Sequence, residues 1–276
     1  MAFMRFPGGK KRALTLSYDD GVIQDKRLVA ILDKYGLKGT FNINTGLFAD
    51  PNEVFPPETV HRRLTRQECI DLYDTTRHEV AVHGVHHPFL TEMSQPCVAA
   101  EVLEDRKTLE EMFPVTVRGM AYPFGTYNDE VLAALKTCGI AYARTVESTH
   151  GFGLPSQWLT LHPTCHHNDE KLMELADAFL NCELIIHPLM FYLWGHSYEF
   201  DNDNNWDVIE TFARKMGGRE DVWYATNMEI FNYVTAYDRL IFSVDGLRVE
   251  NPTAIDLYME HNGIVCVPAG QTVELK

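Results

Sequence analysis

Short apolar runs alternate with amphipathic helical patterns along most of the chain, and this alternation constrains the fold more than any other feature. An apolar run at residues 13–18 precedes a helical pattern at 24–35, and a second apolar run follows at 39–44. Comparable pairs recur to about residue 234. Strands separated by helices of this length pair in parallel, with the helices packed on the sheet. We therefore predict an α/β fold in which a parallel sheet closes into a (β/α) barrel.

The pattern changes beyond residue 236. The segments LIFSVDGLRVEN and GIVCVPAGQTVELK contain short apolar stretches separated by turn residues, with no helical periodicity between them. Such a pattern is typical of small antiparallel sheets. We predict two parts, a barrel of residues 1–236 and a small β-rich extension of residues 237–276.

Charge and hydropathy limit the partners of the chain. The 276 residues have a formal net charge of −15, whereas a protein that binds nucleic acid through phosphate groups needs a basic surface. No apolar run approaches the roughly 20 residues of a membrane span. The N-terminal sequence lacks the apolar segment of a signal peptide, so we expect a cytoplasmic protein whose six cysteines are reduced thiols. The sequence gives no indication of the oligomeric state.

Residues with metal-binding chemistry follow two of the predicted strands. Asp19 and Asp20 end the first strand in the segment LTLSYDDG, and HGVHHP, with His83 and His87, follows the third. Neighbouring carboxylates raise each other's pKa unless a cation or hydrogen bonds separate them. Two imidazoles and one carboxylate are a common ligand set for a divalent metal. Because the strands of a barrel present their carboxyl ends at one mouth, we predict a metal site made by Asp20, His83 and His87.

Two later segments are also predicted at this mouth. The segment AYPFG, residues 121–125, follows the strand around Met120, and LWGHS places His196 after a strand at residues 189–194. The earlier segment LIIHP offers His187 as an alternative to His196. We prefer His196, because His187 precedes the strand and would lie at the opposite end of the barrel.

Together, SYDDG, HGVHHP, AYPFG and LWGHS resemble the NodB-like polysaccharide deacetylases, carbohydrate esterase family 4, over residues 10–235. The resemblance implies a deformed (β/α) barrel that removes acetyl groups from sugars with a divalent metal. It implies that Asp19 is the catalytic base, and that His196 protonates the leaving amine. By the same resemblance the metal ligands are Asp20, His83 and His87.

The resemblance also assigns residues to the substrate. The YPFG segment corresponds to the loop that lines the acetate and oxyanion region, where a backbone N–H near Tyr122 would help to hold the oxyanion. His166, in the segment HPTCHHND, is predicted to contact sugar hydroxyl groups. The predicted substrate-binding residues are Tyr122, Pro123, Phe124, Gly125 and His166.

Three departures from the family pattern lead to further expectations. Ala121 stands where the family has an arginine that pairs with the base, and Arg144, at the end of the strand IAYAR, is the best substitute. Gly84 replaces a serine or threonine after the first metal histidine, which would loosen that loop. The aspartate-and-tryptophan motif of the family is not recognisable. The segment found in its region carries a possible second metal site, with His162, Cys165, His166 and His167 as its candidate ligands.

The leading interpretation is a metal-dependent hydrolase that removes acetyl groups from an N-acetylated saccharide. Zinc is the expected metal, and cobalt or nickel would also suit two imidazoles and a carboxylate. One alternative keeps the fold but hydrolyses a cyclic amide, as allantoinase-like relatives do, with or without a metal. The other is a glycan-binding protein that has lost catalysis.

Overall fold

The computed structural model describes residues 2–183 and 186–275. The helices are α1 Asp25–Lys34, α2 Arg66–Leu72, α3 Gln95–Met112, α4 Asp129–Thr137, α5 Leu172–Asn181, α6 Glu199–Asn202, α7 Trp206–Met216 and α8 Asn227–Tyr237. The strands of the barrel are β2 Arg12–Asp19, β3 Gly39–Ile43, β4 Glu79–Val82, β5 Gly119–Ala121, β6 Tyr142–Arg144, β7 Cys165–His166, β8 Leu189–Gly195 and β9 Val222–Tyr224. The remaining strands are β1 Phe3–Arg5, β10 Ile241–Phe242, β11 Arg248–Glu250, β12 Leu257–Glu260, β13 Ile264–Val267 and β14 Thr272–Glu274. None of the helices in the described part of the chain is both long and apolar enough to cross a membrane.

The barrel strands form one parallel sheet in the order β6-β5-β4-β3-β2-β8-β7, and β9 also pairs with β2. The central strand β2 is buried on both faces, because Leu14 and Leu16 on one face and Ala13 and Ser17 on the other are all inaccessible to solvent. Burial on both faces explains the continuous apolar run in its sequence. The predicted α/β class and the deformed (β/α) barrel are confirmed.

An irregular segment joins the two ends of the curled sheet. Leu161 N–H donates a hydrogen bond to Ala143 O at 2.9 Å, and Thr145 N–H donates to Leu161 O at 3.0 Å, beside β6. Thr164 N–H donates to Tyr192 O of β8 at 2.8 Å. The short strand β7, which the sequence pattern did not predict, follows directly. The edge strands β6 and β7 are therefore connected by this irregular segment and not by a further regular strand.

The helix boundaries follow from local capping. Thr65 and Glu68 form the predicted capping box at the start of α2, and the Asn128 side chain accepts the Val131 N–H at the start of α4. The strand predicted at residues 140–143 begins two residues later. Ile140 N–H donates to Leu135 O at 3.0 Å and so still closes the end of α4.

The C-terminal strands are antiparallel, as predicted, and form two small sheets in the orders β10-β11-β14 and β1-β12-β13. The N-terminal strand β1 was not predicted. It pairs Phe3 with Glu260 and carries Arg5, whose Nε donates to Glu260 Oε2 at 2.8 Å. The N-terminal strand β1 thus shares a sheet with two strands of the predicted extension, β12 and β13, and the predicted boundary at residue 236 stays a prediction.

Candidate active site and metal centre

Asp19, the last residue of β2, lies in a buried ion pair at the mouth of the barrel. Its Oδ2 accepts a hydrogen bond from Arg144 Nη2, and its Oδ1 accepts one from Asn42 Nδ2 at 2.7 Å. Burial alone would raise the pKa of Asp19, but the charge of Arg144, followed by smaller contributions from two nearby imidazoles, lowers it below its usual value. The carboxylate is therefore ionised at neutral pH, as a general base must be. The predicted partner Arg144 makes this contact.

Asp20, the next residue, has its own cationic partners. Arg63 Nη2 lies 3.0 Å from Asp20 Oδ1, and His61 Nε2 lies 3.4 Å from Oδ2. Burial raises the pKa of Asp20, but the contact with His61 and the charge of Arg63 outweigh it and hold the pKa well below the usual range. Each of the two carboxylates therefore has a different arginine beside it, and neither Arg63 nor His61 has a spacing that could have identified it.

His83 follows β4 and has one ring nitrogen available for a metal. Its Nδ1 lies 2.9 Å from Ala121 O, and since a carbonyl only accepts, Nδ1 carries the proton. The lone pair is then on Nε2, which is buried, makes no hydrogen bond within the described structure and lies 3.9 Å from Asp20 Oδ1. A backbone carbonyl that fixes the tautomer in this way is the usual support of a metal-binding histidine.

The predicted ligand set converges on one point. The ligand atoms of Asp20, His83 and His87 all lie within 4.8 Å of one another. Burial lowers the pKa of His83, and lowers that of His87 to about 4, so both imidazoles are neutral at neutral pH. Neutral imidazoles and an ionised carboxylate are the forms that bind a divalent cation. The residues therefore fit zinc or a similar ion.

The loop that carries both histidines is held by buried polar groups. Asn44 Nδ2 donates to His83 O at 2.6 Å and to Gly84 O at 2.9 Å, and Asp105 Oδ2 accepts the His83 N–H at 2.9 Å. Gly84 has a φ of 74°, in the left-handed region that favours glycine. The looseness expected from Gly84 is thus offset by Asn44 and Asp105, which sequence reasoning missed.

His196 follows β8 on the other side of Asp19. Its Nε2 lies 3.8 Å from Asp19 Oδ2, and its Nδ1 lies 3.3 Å from Glu199 Oε1. Burial alone would lower the pKa of His196, but Glu199 and Asp19 outweigh that effect and raise it. The raised pKa favours the imidazolium form, which can act as a proton donor. Glu199 was not predicted, although its spacing of three residues from His196 could have indicated it.

Glu199 also contacts the two histidines of HPTCHHND. Its Oε2 lies 3.1 Å from Nε2 of His166 and 3.1 Å from Nε2 of His167. The atoms of His166, His196 and Glu199 are close enough for a metal. However, Asn168 N–H donates to His166 Nδ1 at 3.1 Å, so the proton of a neutral His166 is on Nε2 and blocks metal binding there. The tautomer is opposite to that of His83, and it favours a hydrogen-bonding cluster over a second metal site.

The other candidate residues lie away from the reacting groups. His162 Nδ1 is 2.6 Å from Thr145 Oγ1, Cys165 is buried in β7, and His86 Nδ1 is 2.7 Å from Glu101 Oε1. His187 is exposed beside Phe3, at the end of β8 opposite to His196. Leu184 and Ile185 of the LIIHP segment lie outside the described residues.

The YPFG loop contributes backbone and one exposed ring. Tyr122 is buried, its hydroxyl donates to Leu159 O at 2.8 Å, and its N–H donates to Arg144 O at 3.0 Å. Gly125 N–H donates to Tyr122 O at 3.0 Å, and Pro123 has no N–H. The N–H of Tyr122 is therefore already engaged, which leaves the N–H of Phe124 as the candidate oxyanion donor of this loop. A side chain at Gly125, which has a φ of 70°, would overlap Val146.

The structure defines an α/β barrel that carries a candidate metal centre and an adjacent ionised carboxylate at the carboxyl ends of its strands. The comparisons with known proteins point to a family. A family profile of polysaccharide deacetylases matches residues 7–143. A poly-β-1,6-N-acetyl-D-glucosamine N-deacetylase from Staphylococcus epidermidis is 26% identical over 149 residues, which are 52% of this chain and 50% of the relative. The chain thus spans about half the length of the curated relatives it matches.

Solved structures share the fold. A Mycobacterium smegmatis protein provisionally described as a polysaccharide deacetylase is 20% identical, with a TM-score of 0.59 over 86% of this chain and 95% of that one. A family 4 carbohydrate esterase from Streptomyces lividans, solved with acetate, is 16% identical, with a TM-score of 0.50 over 78% and 93% of the two chains. Residues 7–143 belong to the polysaccharide deacetylase family, and the predicted resemblance is confirmed.

Proposed function

We propose that the protein is a metal-dependent hydrolase that removes acetyl groups from an N-acetylated saccharide. The observation that carries this proposal is the position of Asp19, ionised by Arg144 and adjacent to the cluster of Asp20, His83 and His87. A site that only bound metal would not need Asp19. A purely structural ion pair would not need a buried imidazole with a free lone pair beside it.

Asp20, His83 and His87 would hold zinc, or cobalt or nickel, and the metal when bound would polarise the acetyl carbonyl and make water more acidic. Asp19 accepts the proton of the attacking water, because Arg144 and Asn42 keep its carboxylate ionised and oriented while each oxygen retains a free lone pair. The Phe124 N–H donates a hydrogen bond to the developing oxyanion.

His196 completes the reaction as the general acid. Its Nε2 faces Asp19, and the Glu199 carboxylate beside Nδ1 keeps a proton on that nitrogen. The imidazolium donates its Nε2 proton to the amine nitrogen as the carbon–nitrogen bond breaks. The products are acetate and a free amino sugar.

The saccharide substrate is supported by the family and by the curated relatives, which deacetylate a polymer of N-acetylglucosamine. The comparisons favour neither a cyclic amide nor a lapsed glycan-binding protein. Oligomers of N-acetylglucosamine are therefore the first substrates to test.

Acetate release from these oligomers, measured with and without a chelator, tests the proposal. We expect wild-type protein to release acetate, the chelator to stop it, and Asp19→Asn to abolish release while retaining metal. A protein that binds one metal ion per chain but releases no acetate from any acetylated saccharide would refute the proposal.

A further inference from the structure

Two partly exposed aromatic rings are stacked face to face at the rim of the candidate metal centre. The rings of Phe89 and Phe124 are stacked with centroids 3.8 Å apart and an angle of 7° between their planes. Their side chains remain 43% and 49% exposed. The Phe124 ring also meets the ring of the candidate metal ligand His87 edge-on, at 4.5 Å. An aromatic surface thus begins at the metal centre and extends outward into solvent.

The backbone of Phe124 is strained in the conformation that places its ring on this surface. Phe124 has a φ of 57°, a conformation that bulky side chains rarely adopt. Such strain is typically kept at binding and catalytic sites. Val146, which is 38% exposed, stands beside the same loop and blocks any side chain at Gly125. Phenylalanine rings are normally buried. Two exposed rings beside a reactive centre, one of them on a strained backbone, therefore indicate a surface that binds a ligand.

We propose that the outward face of Phe89, which is backed by the stacked ring of Phe124, is a stacking subsite for a pyranose ring next to the sugar that is deacetylated. This inference rests on the proposed function and adds a preference for oligosaccharides over single acetylated sugars. A pyranose presents a face of C–H groups with hydroxyls at its edge, which suits an aromatic surface that is open to water. An acetyl methyl group is too small to cover the open face of a phenylalanine ring, and it would need an enclosed pocket instead.

The subsite predicts a dependence of affinity on chain length. We would measure kcat and KM with the N-acetylglucosamine disaccharide and tetrasaccharide for wild type, Phe89→Ala and Phe89→Tyr. Phe242→Ala is the matched control, because Phe242 is also 43% exposed but belongs to the C-terminal sheet β10-β11-β14. All three variants change exposed rings, so we expect them to fold.

For Phe89→Ala we expect the KM for the tetrasaccharide to rise about tenfold, with a smaller rise for the disaccharide and kcat within about twofold of wild type. Phe89→Tyr keeps an aromatic face and should restore the wild-type KM. The control should match wild type with both substrates. Equal kinetics of Phe89→Ala and wild type, or a loss in kcat alone, would overturn the subsite.

A separate measurement distinguishes this inference from the proposed function. If wild type releases no acetate, the proposed function fails, and calorimetric binding of the tetrasaccharide to wild type and Phe89→Ala still tests the subsite. Weaker binding by Phe89→Ala alone supports it, and equal binding refutes it. Sedimentation of the same variants provides a further test, since wild-type dimers that dissociate in Phe89→Ala would make this surface a protein interface and overturn the proposal.

Discussion

Arg144 donates a hydrogen bond to Asp19 across the mouth of the barrel, and both side chains are almost completely buried. Asp19 ends the central strand β2, whereas Arg144 ends β6 at the edge of the sheet. The Arg144 guanidinium also lies 4.3 Å from the centre of the Trp194 ring. One ion pair therefore connects distant strands of the curled sheet and keeps the proposed base ionised.

Replacing Arg144 by methionine should cost both stability and activity. The change leaves the Asp19 carboxylate buried without its cation, and breaking a buried pair in this way typically costs about 3–5 kcal/mol. Urea denaturation at neutral pH measures the loss. Arg214→Met, at an exposed position in α7, is the control and should change the free energy of unfolding by less than about 0.5 kcal/mol. A loss below about 1 kcal/mol in Arg144→Met would show that the pair is not a stabilising contact.

Metal content should depend on His83 but not on its neighbour His86. We expect about one zinc ion per chain in wild type and in His86→Ala, and almost none in His83→Ala, because His83 belongs to the ligand cluster whereas His86 contacts Glu101 instead. Elemental analysis after dialysis measures this. Chelation should also lower the unfolding temperature of wild type, since a ligand at 100 times its Kd stabilises by about 2.7 kcal/mol. Equal metal content in the two variants would contradict the ligand assignment.

The pH profile should report the contact between Glu199 and His196. Glu199 helps to raise the pKa of His196 in the folded protein, so the imidazolium persists to higher pH than in the unfolded chain. The contribution of the His196 imidazolium to activity and stability is fully present below the pKa that His196 has in the unfolded chain. It is lost as the pH rises through the higher pKa that His196 has in the folded protein. Glu199→Gln should therefore move the alkaline limb of kcat/KM to lower pH.

Glu147→Gln is the control for this profile, because Glu147 is exposed and lies 3.9 Å from a different histidine, His162. Its alkaline limb should coincide with that of wild type. An unshifted limb in Glu199→Gln would mean that another group sets the pKa of the acid.

Gly195 should be intolerant of any side chain. A Cβ at this position would overlap the buried ring of His167, which is stacked at 4.1 Å on Phe200 and cannot move aside. Gly195→Ala should lose about 1–3 kcal/mol of stability, as overpacked cores do. Gly153→Ala, where nothing lies within 4 Å of the new methyl group, should remain near wild type in the same denaturation experiment. Equal stabilities would show that His167 has another position available.

The parts of the site that the sequence predicts are those in which neighbouring residues carry the pattern. Asp19 and Asp20 are adjacent, His83 and His87 are four residues apart, and each pair follows an apolar run. The capping residues Thr65 and Asn128 are equally local. Because the carboxyl ends of parallel strands meet at one mouth of the barrel, the two pairs can be placed together before any contact is known.

The parts that were missed depend on contacts between distant segments. Arg63 reaches Asp20 from the loop before α2, and Asn44 reaches the His83 loop from the end of β3. No periodicity or spacing relates either pair. The strand β1 was missed because three residues are too few to show alternation, and their partners lie near residue 260.

The pairing of β1 with β12 has a consequence for the order of folding. Arg5 and Glu260, which are joined by an ion pair, are 255 positions apart in the chain. During synthesis the first strand therefore emerges long before its partner exists, and its backbone edge stays open until nearly the whole barrel has been made. Contacts of such high sequence separation are formed slowly. We expect the β1-β12-β13 sheet to form last, after the barrel has folded, and to join the N-terminal strand to the C-terminal part of the chain.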